Sequence, residues 1–248
     1  MFGLPAAIRA CLFDLDGVLT RTATVHARAW KDMFDAFLRQ RAGRTGETFT
    51  PFDPVLDYGR YVDGMPRLDG TLSFLVSRGI ALPEGDPAEP PAAPTLHGLS
   101  NQKNELVLRL LAAGGVEVFD GSVRDVRAVR AAGLATAVVS SSAHTAEVLD
   151  AAAIADLFDV RIDGVVARER SLRGKPAPDT FLAAAQALGV APAGAAVFED
   201  ALAGVAAGRA GGFGLVVGVD RVGHADDLRA SGADIVVDDL TELLEEDG

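Results

Sequence analysis

The sequence predicts an α/β protein: a Rossmann-like, doubly wound parallel sheet core with an α-helical cap domain inserted after the first strand. Three observations carry that expectation. Residues 8–13 form a short apolar run that stops at Asp14-Leu15-Asp16-Gly17. From residue 122 onward, helical patterns alternate with short apolar runs, as in a parallel sheet covered on both faces. Between these two regions, residues 22–113 carry helical patterns and no convincing strand.

Taken in order, residues 7–13 read as a buried strand bounded by an Asp/Gly turn. Residues 24–41 read as a helix with Val25, Ala29, Met33, Phe37 and Leu38 on one apolar stripe, capped by Thr22 or Thr24. Residues 43–54, rich in Gly, Thr and Pro, interrupt it. In residues 57–67, Tyr58, Tyr61 and Val62 make a helical face, and Gly64-Met65-Pro66-Arg67 makes a turn. A helix over 69–78 places Leu72, Leu75 and Val76 on one side and ends at Gly79. Five prolines within residues 83–94 forbid a regular helix or a central strand, so this segment reads as a surface loop. A helix over 101–112, with Leu106, Leu110 and Leu111 inward, ends at Gly114-Gly115.

The alternation then begins. Helices are expected at 122–132, 145–153, 178–188, 202–210 and 225–230, and strands at 134–139, 160–166, 195–198, 215–219 and 235–237. A last segment, 240–246, closes the chain. The first strand needs this sheet in order to be buried. Residues 1–21 and 114–248 therefore form one α/β core domain, and residues 22–113 form the cap inserted into it.

The chain has 248 residues, 49% of them hydrophobic, which is ample for a folded core. Its formal net charge of −12 disfavours nucleic acid as a partner, because phosphate backbones attract basic surfaces. A small anionic substrate is still open, since a few cations and a metal can invert the field in one cleft. The single cysteine, Cys11, lies in an apolar run and reads as a packed residue. No apolar stretch approaches the roughly 18 residues that span a bilayer, and residues 1–9 lack a signal-peptide pattern. A cytoplasmic monomer with no membrane partner is the expectation.

Four predicted strand ends carry chemistry. The first bears Asp14, a candidate nucleophile, and Asp16, a candidate acid/base. The second is Ser140-Ser141-Ser142, where hydroxyls and the free N–H groups of a helix start can hold phosphate oxygens. Third comes Gly174-Lys175-Pro176-Ala177-Pro178-Asp179, with a lysine set between Gly and Pro ahead of a helix. The fourth is Glu199-Asp200. Taken singly, these read equally as a polar turn, a serine loop, an exposed Lys-Pro turn and a helix cap. Parallel strand ends converge on one edge of a sheet. There Asp14, Asp16, Glu199 and Asp200 make an all-oxygen set suited to a hard cation, Mg²⁺. No His/Cys set has zinc-like spacing. Lys175 adds a compact counter-charge to carboxylates that would otherwise repel.

This set resembles the haloacid dehalogenase-like superfamily of aspartyl-phosphate enzymes. The matching residues are Asp14-Leu15-Asp16-Gly17-Val18-Leu19-Thr20, Ser140, Lys175 within Gly-Lys-Pro-Ala-Pro-Asp, and Glu199-Asp200. More narrowly, Thr22, His26, Ala29-Trp30-Lys31, the Asp63-Gly64-Met65-Pro66-Arg67 turn and Lys103-Asn104-Glu105 resemble its β-phosphoglucomutase subgroup. The resemblance implies Asp14 as nucleophile and Asp16 as acid/base. It implies Mg²⁺ on Asp14, the Asp16 backbone carbonyl and Asp200, supported by Glu199. Ser140, the N–H of Ser141 and Lys175 are then phosphate-binding, while Arg67, Lys103 and His26 serve the substrate from the cap. The implied reaction interconverts β-D-glucose 1-phosphate and glucose 6-phosphate through an aspartyl phosphate and a bisphosphate. The alternative on the same core is a Mg²⁺-dependent phosphatase acting on a small phosphate monoester, a sugar phosphate or phosphoglycolate. His26 is open between a hinge role and an ordinary helix histidine, and Trp30 reads as cap core. Two departures stand out: Arg21 where the subgroup carries Asp, and Ala143-His144 where it places Lys-Asn. Residues 43–54 and 83–94 enlarge the cap.

Overall fold

The computed structural model of the protein describes residues 3–244. Its sheet consists of β1 (Ala10–Phe13), β2 (Ala135–Val139), β3 (Val160–Ile162), β4 (Ala195–Glu199), β5 (Leu215–Val219) and β6 (Ile235–Val237). All pairings are parallel, in the order β3-β2-β1-β4-β5-β6. The helices are α1 (Ala23–Thr45), α2 (Leu56–Tyr61), α3 (Arg67–Ser77), α4 (Leu96–Gly114), α5 (Asp120–Ala131), α6 (Thr145–Ala151), α7 (Gly164–Glu169), α8 (Asp179–Ala187), α9 (Leu202–Ala210) and α10 (Ala225–Ser231). A 3₁₀ turn, Leu240–Leu243, follows β6. This is the doubly wound α/β architecture that the alternating pattern predicts.

Two compact units result. One comprises the described residues up to Arg21, Gly64–Pro66 and the chain from Val116 onward; the other comprises Thr22–Asp63 and Arg67–Gly115. In the first unit, β1, β4 and β5 are buried along their whole length, so their apolar runs need no polar alternation. Leu12, Val139, Val197, Phe181 on α8 and Val205 on α9 belong to one buried cluster. The second unit has its own core, in which Trp30 stacks on Phe34 and Phe34 meets Phe52 and Phe74. Buried Asp35 ties the interrupted stretch to α1: its carboxylate accepts the Phe52 N–H (2.8 Å) and the Lys31 ammonium (2.9 Å).

Several local expectations are corrected. Residues 160–166 are not one strand: Asp163 accepts the N–H groups of Val165 and Val166 and starts α7. In α1 the buried face runs through Ala29, Trp30, Met33, Phe34 and Leu38, so the true stripe includes Phe34 and leaves Val25 and Phe37 only partly covered. Thr22 stands at its N-cap without a side-chain cap bond. On α3, Leu72 and Val76 are exposed, and Thr71, Phe74 and Leu75 face inward. α4 begins five residues before the expected 101 and buries Leu99, Lys103 and Val107 rather than the 106/110/111 row. The closing segment 240–246 is a 3₁₀ turn over Leu240–Leu243; residues 245 and 246 lie outside the described residues.

The proline-rich segment is an irregular loop, as expected, with definite anchors. Pro83 and Glu84 carbonyls accept the N–H groups of Leu96 and His97, and Asn101 donates to the carbonyls of Pro87 and Glu89. Thr95, the N-cap of α4, accepts the Gly98 N–H and donates to Glu89.

Candidate active site

Strand order reverses at β1: the chain proceeds to β2 and β3 on one side, then returns to β4, β5 and β6 on the other. In open α/β sheets, ligands bind outside the carboxyl ends of the strands at such a point. Phe13 pairs with Val138 on one side and Phe198 on the other, so Asp14 leaves the sheet level with Val139 and Glu199. The Asp14 N–H donates to the Phe198 carbonyl (2.9 Å), and the Ser140 N–H to the Ile162 carbonyl (3.0 Å).

Lys175 binds this edge together. Its side chain is 1% exposed. The ammonium donates to Asp14 Oδ1 (2.5 Å), to the Val139 carbonyl (3.1 Å) and to Glu199 Oε1. Three N–H donors meet three acceptors, which is the full capacity of an ammonium. The Lys175–Pro176 peptide that delivers it is cis. Burial disfavours the charged amine, but Asp14 and Glu199 carry Lys175 above the ordinary lysine range. Burial also pushes the Asp14 carboxyl well above the usual carboxylate range; Lys175 opposes that rise, and the charges of Glu199 and Asp16 add to it.

Two glycines make room for carboxylates. Gly17 has φ +99°, and a Cβ there would stand 1.8 Å from Asp200 Oδ2. On α9, a Cβ at Gly204 would stand 1.8 Å from Glu199 Oε1. Glu199 Oε2 accepts the Ala201 N–H (3.1 Å). As a result Asp14, Glu199 and Asp200, all buried, each place one ligand oxygen within 4.8 Å of the others. The Asp16 carboxylate is not in that group. These residues fit a divalent cation. Their donors are all oxygen, the choice of hard cations. Three acidic groups share one buried ammonium, Lys175, which bonds Asp14 and Glu199.

Asp16 sits partly exposed beside them. The Ser140 hydroxyl donates to Asp16 Oδ2 (3.3 Å) and accepts the Ser142 N–H (3.0 Å), which orients it. The Ser141 hydroxyl donates to the Gly64 carbonyl (2.6 Å). At the departure from the subgroup pattern, the Arg21 guanidinium lies 4.3 Å from the centre of the Phe119 ring and 3.9 Å from Glu117.

The other unit holds the remaining predicted residues. Lys103, only 5% exposed, lies 2.8 Å from His26 Nδ1 and 4.8 Å from the centre of the Trp30 ring. Trp30 is 2% exposed and belongs to the aromatic core. Arg67 Nη1 donates to Asn104 Oδ1. Sequence reasoning passed over Gly204 and Arg221; the latter follows the end of β5, a fifth strand end bearing charge that could have drawn notice.

The family pattern described as haloacid dehalogenase-like hydrolase matches residues 8–212. A β-phosphoglucomutase of Mycobacterium bovis is 58% identical over 247 residues, covering 98% of this chain and 94% of the relative. One from Mycobacterium tuberculosis matches to the same extent. The crystal structure of a Clostridium difficile β-phosphoglucomutase superimposes with a TM-score of 0.74 at 25% identity, covering 95% of this chain and 93% of that one. The chain belongs to the haloacid dehalogenase-like hydrolase family, among its enzymes of phosphomutase type. No helix among the described residues is long and apolar enough to cross a membrane.

Proposed function

We propose that this enzyme interconverts β-D-glucose 1-phosphate and glucose 6-phosphate, acting as a monomer on a small phosphorylated sugar. The observation that carries the chemistry is the buried set at the switch point: Asp14 held by Lys175, with Glu199 and Asp200 alongside. The likeness to β-phosphoglucomutases over nearly the whole chain supports the choice of sugar phosphate. Residues 1–21 and 114–248 form the domain of phosphoryl transfer, and residues 22–113 form the cap that selects the acceptor.

An Asp14 carboxylate oxygen attacks phosphorus, and the bond from phosphorus to the sugar oxygen breaks. Asp16 gives that oxygen its proton. Ser140, the Ser141 N–H and Lys175 hold the transferring oxygens as charge builds. For the return step, Asp16 takes the proton of the acceptor hydroxyl, which attacks phosphorus and releases Asp14. With a sugar monophosphate as acceptor, the product is a bisphosphate. Turned end for end, it returns its other phosphate to Asp14. Asp14, the Asp16 carbonyl and Asp200, backed by Glu199, would hold Mg²⁺, whose charge offsets that of the phosphoryl oxygens. Arg67, set by Asn104, grips the distal phosphate. Lys103 and His26 support the cap side of the site.

The test incubates the protein with Mg²⁺ and β-glucose 1-phosphate, primed with a trace of glucose 1,6-bisphosphate. Glucose 6-phosphate and free phosphate are followed separately. Formation of glucose 6-phosphate in excess of phosphate supports the mutase. Stoichiometric phosphate without glucose 6-phosphate would make the enzyme a phosphatase. Asp14→Asn should abolish either activity.

A further inference from the structure

The end of β5 carries a cation with no part in this scheme. Arg221 follows Val219 and Asp220, and its side chain is 15% exposed. The Asp220 carboxylate accepts the N–H groups of Val222, Gly223, His224 and Ala225, which folds the chain back directly after Arg221. The guanidinium is committed largely to main-chain oxygens. Nε donates to the Gly17 carbonyl (2.9 Å), and Nη2 to the Val18 carbonyl (3.4 Å) and the Ser122 hydroxyl (3.2 Å). Nη1 donates to the Asp238 carbonyl (2.8 Å) and lies 3.7 Å from Asp239 Oδ2. The guanidinium carbon is 3.7 Å from the centre of the Phe119 ring.

The segment so gripped is the one that leaves Asp16. Gly17 has its carbonyl on Arg221 and its Cα against the Asp200 carboxylate, where no side chain fits. Phe119, under the guanidinium, donates its own N–H to the Leu19 carbonyl (2.9 Å). Arg221 thus joins the turn after β1, the start of α5 and the turn after β6. A lysine in its place has a single point charge and no plane to lay on the ring.

We infer that Arg221 is a positioning residue for phosphoryl transfer: by holding the carbonyls of Gly17 and Val18 it fixes the turn that leaves Asp16, and with it the set of Asp16 and the wall that seats Asp200. The inference rests on the roles proposed above for those two carboxylates.

Arg221→Ala and Arg221→Lys, made in the full chain, test it by deuterium exchange in peptides spanning residues 14–20, by thermal unfolding, and by turnover with Mg²⁺. The substrates are β-glucose 1-phosphate, phenyl phosphate and p-nitrophenyl phosphate. Exchange over 14–20 should rise in Arg221→Ala beyond the rise elsewhere in the chain. Turnover of β-glucose 1-phosphate should fall about 10- to 100-fold with KM changed less than about 2-fold, as when a reacting group is misplaced. Loss in kcat/KM should be greater for phenyl phosphate than for p-nitrophenyl phosphate, whose leaving group needs no proton from Asp16. Arg221→Lys should recover part of this; where the alanine variant does not fold, it carries the same readouts. Unchanged exchange over 14–20 overturns the proposal whatever the rates. So do raised exchange and equal losses on the two aryl phosphates, which would confine Arg221 to stability. If wild-type protein leaves β-glucose 1-phosphate untouched while the exchange and aryl phosphate results hold, the sugar reading fails and Arg221 keeps its role.

Discussion

The carboxylate of Glu199 occupies the space that a side chain at Gly204 would need: a Cβ there would lie 1.8 Å from Oε1. Glu199 cannot retreat cheaply, because its other oxygen accepts the Ala201 N–H and it shares Lys175 with Asp14. Gly204→Ala should cost about 1–3 kcal/mol of stability by overpacking and lower turnover through the displaced Lys175. Urea unfolding beside a turnover assay checks this. Gly59→Ala is the control: nothing lies within 4 Å of a Cβ there, so helix propensity should make it neutral or slightly stabilising.

Asp125 gives a pH signature. It is 1% exposed, and burial, aided by the nearby charge of Asp239, raises its pKa from 3.8 to about 7. Between these values the folded chain keeps a proton that the unfolded chain releases. Its stabilising contribution is therefore complete below about pH 4 and is lost as pH rises to about 7, with a slope of at most about 1.4 kcal/mol per unit. Asp125→Asn should flatten that part of the curve, so its stability relative to wild type improves from pH 5 to 7.5. Parallel urea midpoints over this range would show that Asp125 does not titrate there.

Arg67 separates the two halves of the proposed cycle. Arg67→Ala should cut mutase turnover by about 10- to 100-fold, the worth of a charge-assisted hydrogen bond to phosphate. Labelling of Asp14 by a small phosphoryl donor such as acetyl phosphate should continue at the wild-type rate. Equal mutase turnover in both proteins would remove Arg67 from the distal phosphate.

Metal binding should be visible without catalysis. After treatment with a chelator, added Mg²⁺ should raise the thermal midpoint, by the equivalent of about 2.7 kcal/mol at one hundred times its dissociation constant. Asp200→Asn should weaken the response, and Asp32→Asn, on the exposed side of α1, should leave it intact. A midpoint indifferent to Mg²⁺ in the wild-type protein would count against a cation at Asp14, Glu199 and Asp200.

The α/β class was legible because parallel strands covered on both faces write themselves as uninterrupted apolar runs, as at 195–198 and 215–219. Asp14, Glu199 and Asp200 lie together because each stands at or just beyond the carboxyl edge of the sheet, which alternation alone implies; Lys175, expected at a third strand end, instead reaches them from the loop between α7 and α8, thirteen residues past the end of β3. What the sequence hid has physical reasons. Val165 and Val166 look like strand, but the two N–H groups taken by Asp163 turn them into helix. Leu72 and Val76 look like core, but the aromatic cluster draws the Thr71/Phe74/Leu75 side of α3 inward. Lys103, expected to serve the substrate, is buried, with its amine against the His26 imidazole and the Trp30 indole, a setting no local pattern announces. Arg221 stands at a charged strand end, but its bonds to the carbonyls of Gly17, Val18 and Asp238 leave no mark in a sequence.

Lys175 makes its three bonds to residues from three neighbouring strands: Asp14 just past β1, Val139 at the end of β2 and Glu199 at the end of β4. It is thereby a checksum on assembly. Were β2 or β4 to slip by one residue against β1, the faces of that strand would exchange, and a buried ammonium would lose an acceptor it cannot replace. Such a slip would leave this site malformed, so a chain that has closed its centre correctly has, by the same bonds, already seated Asp14.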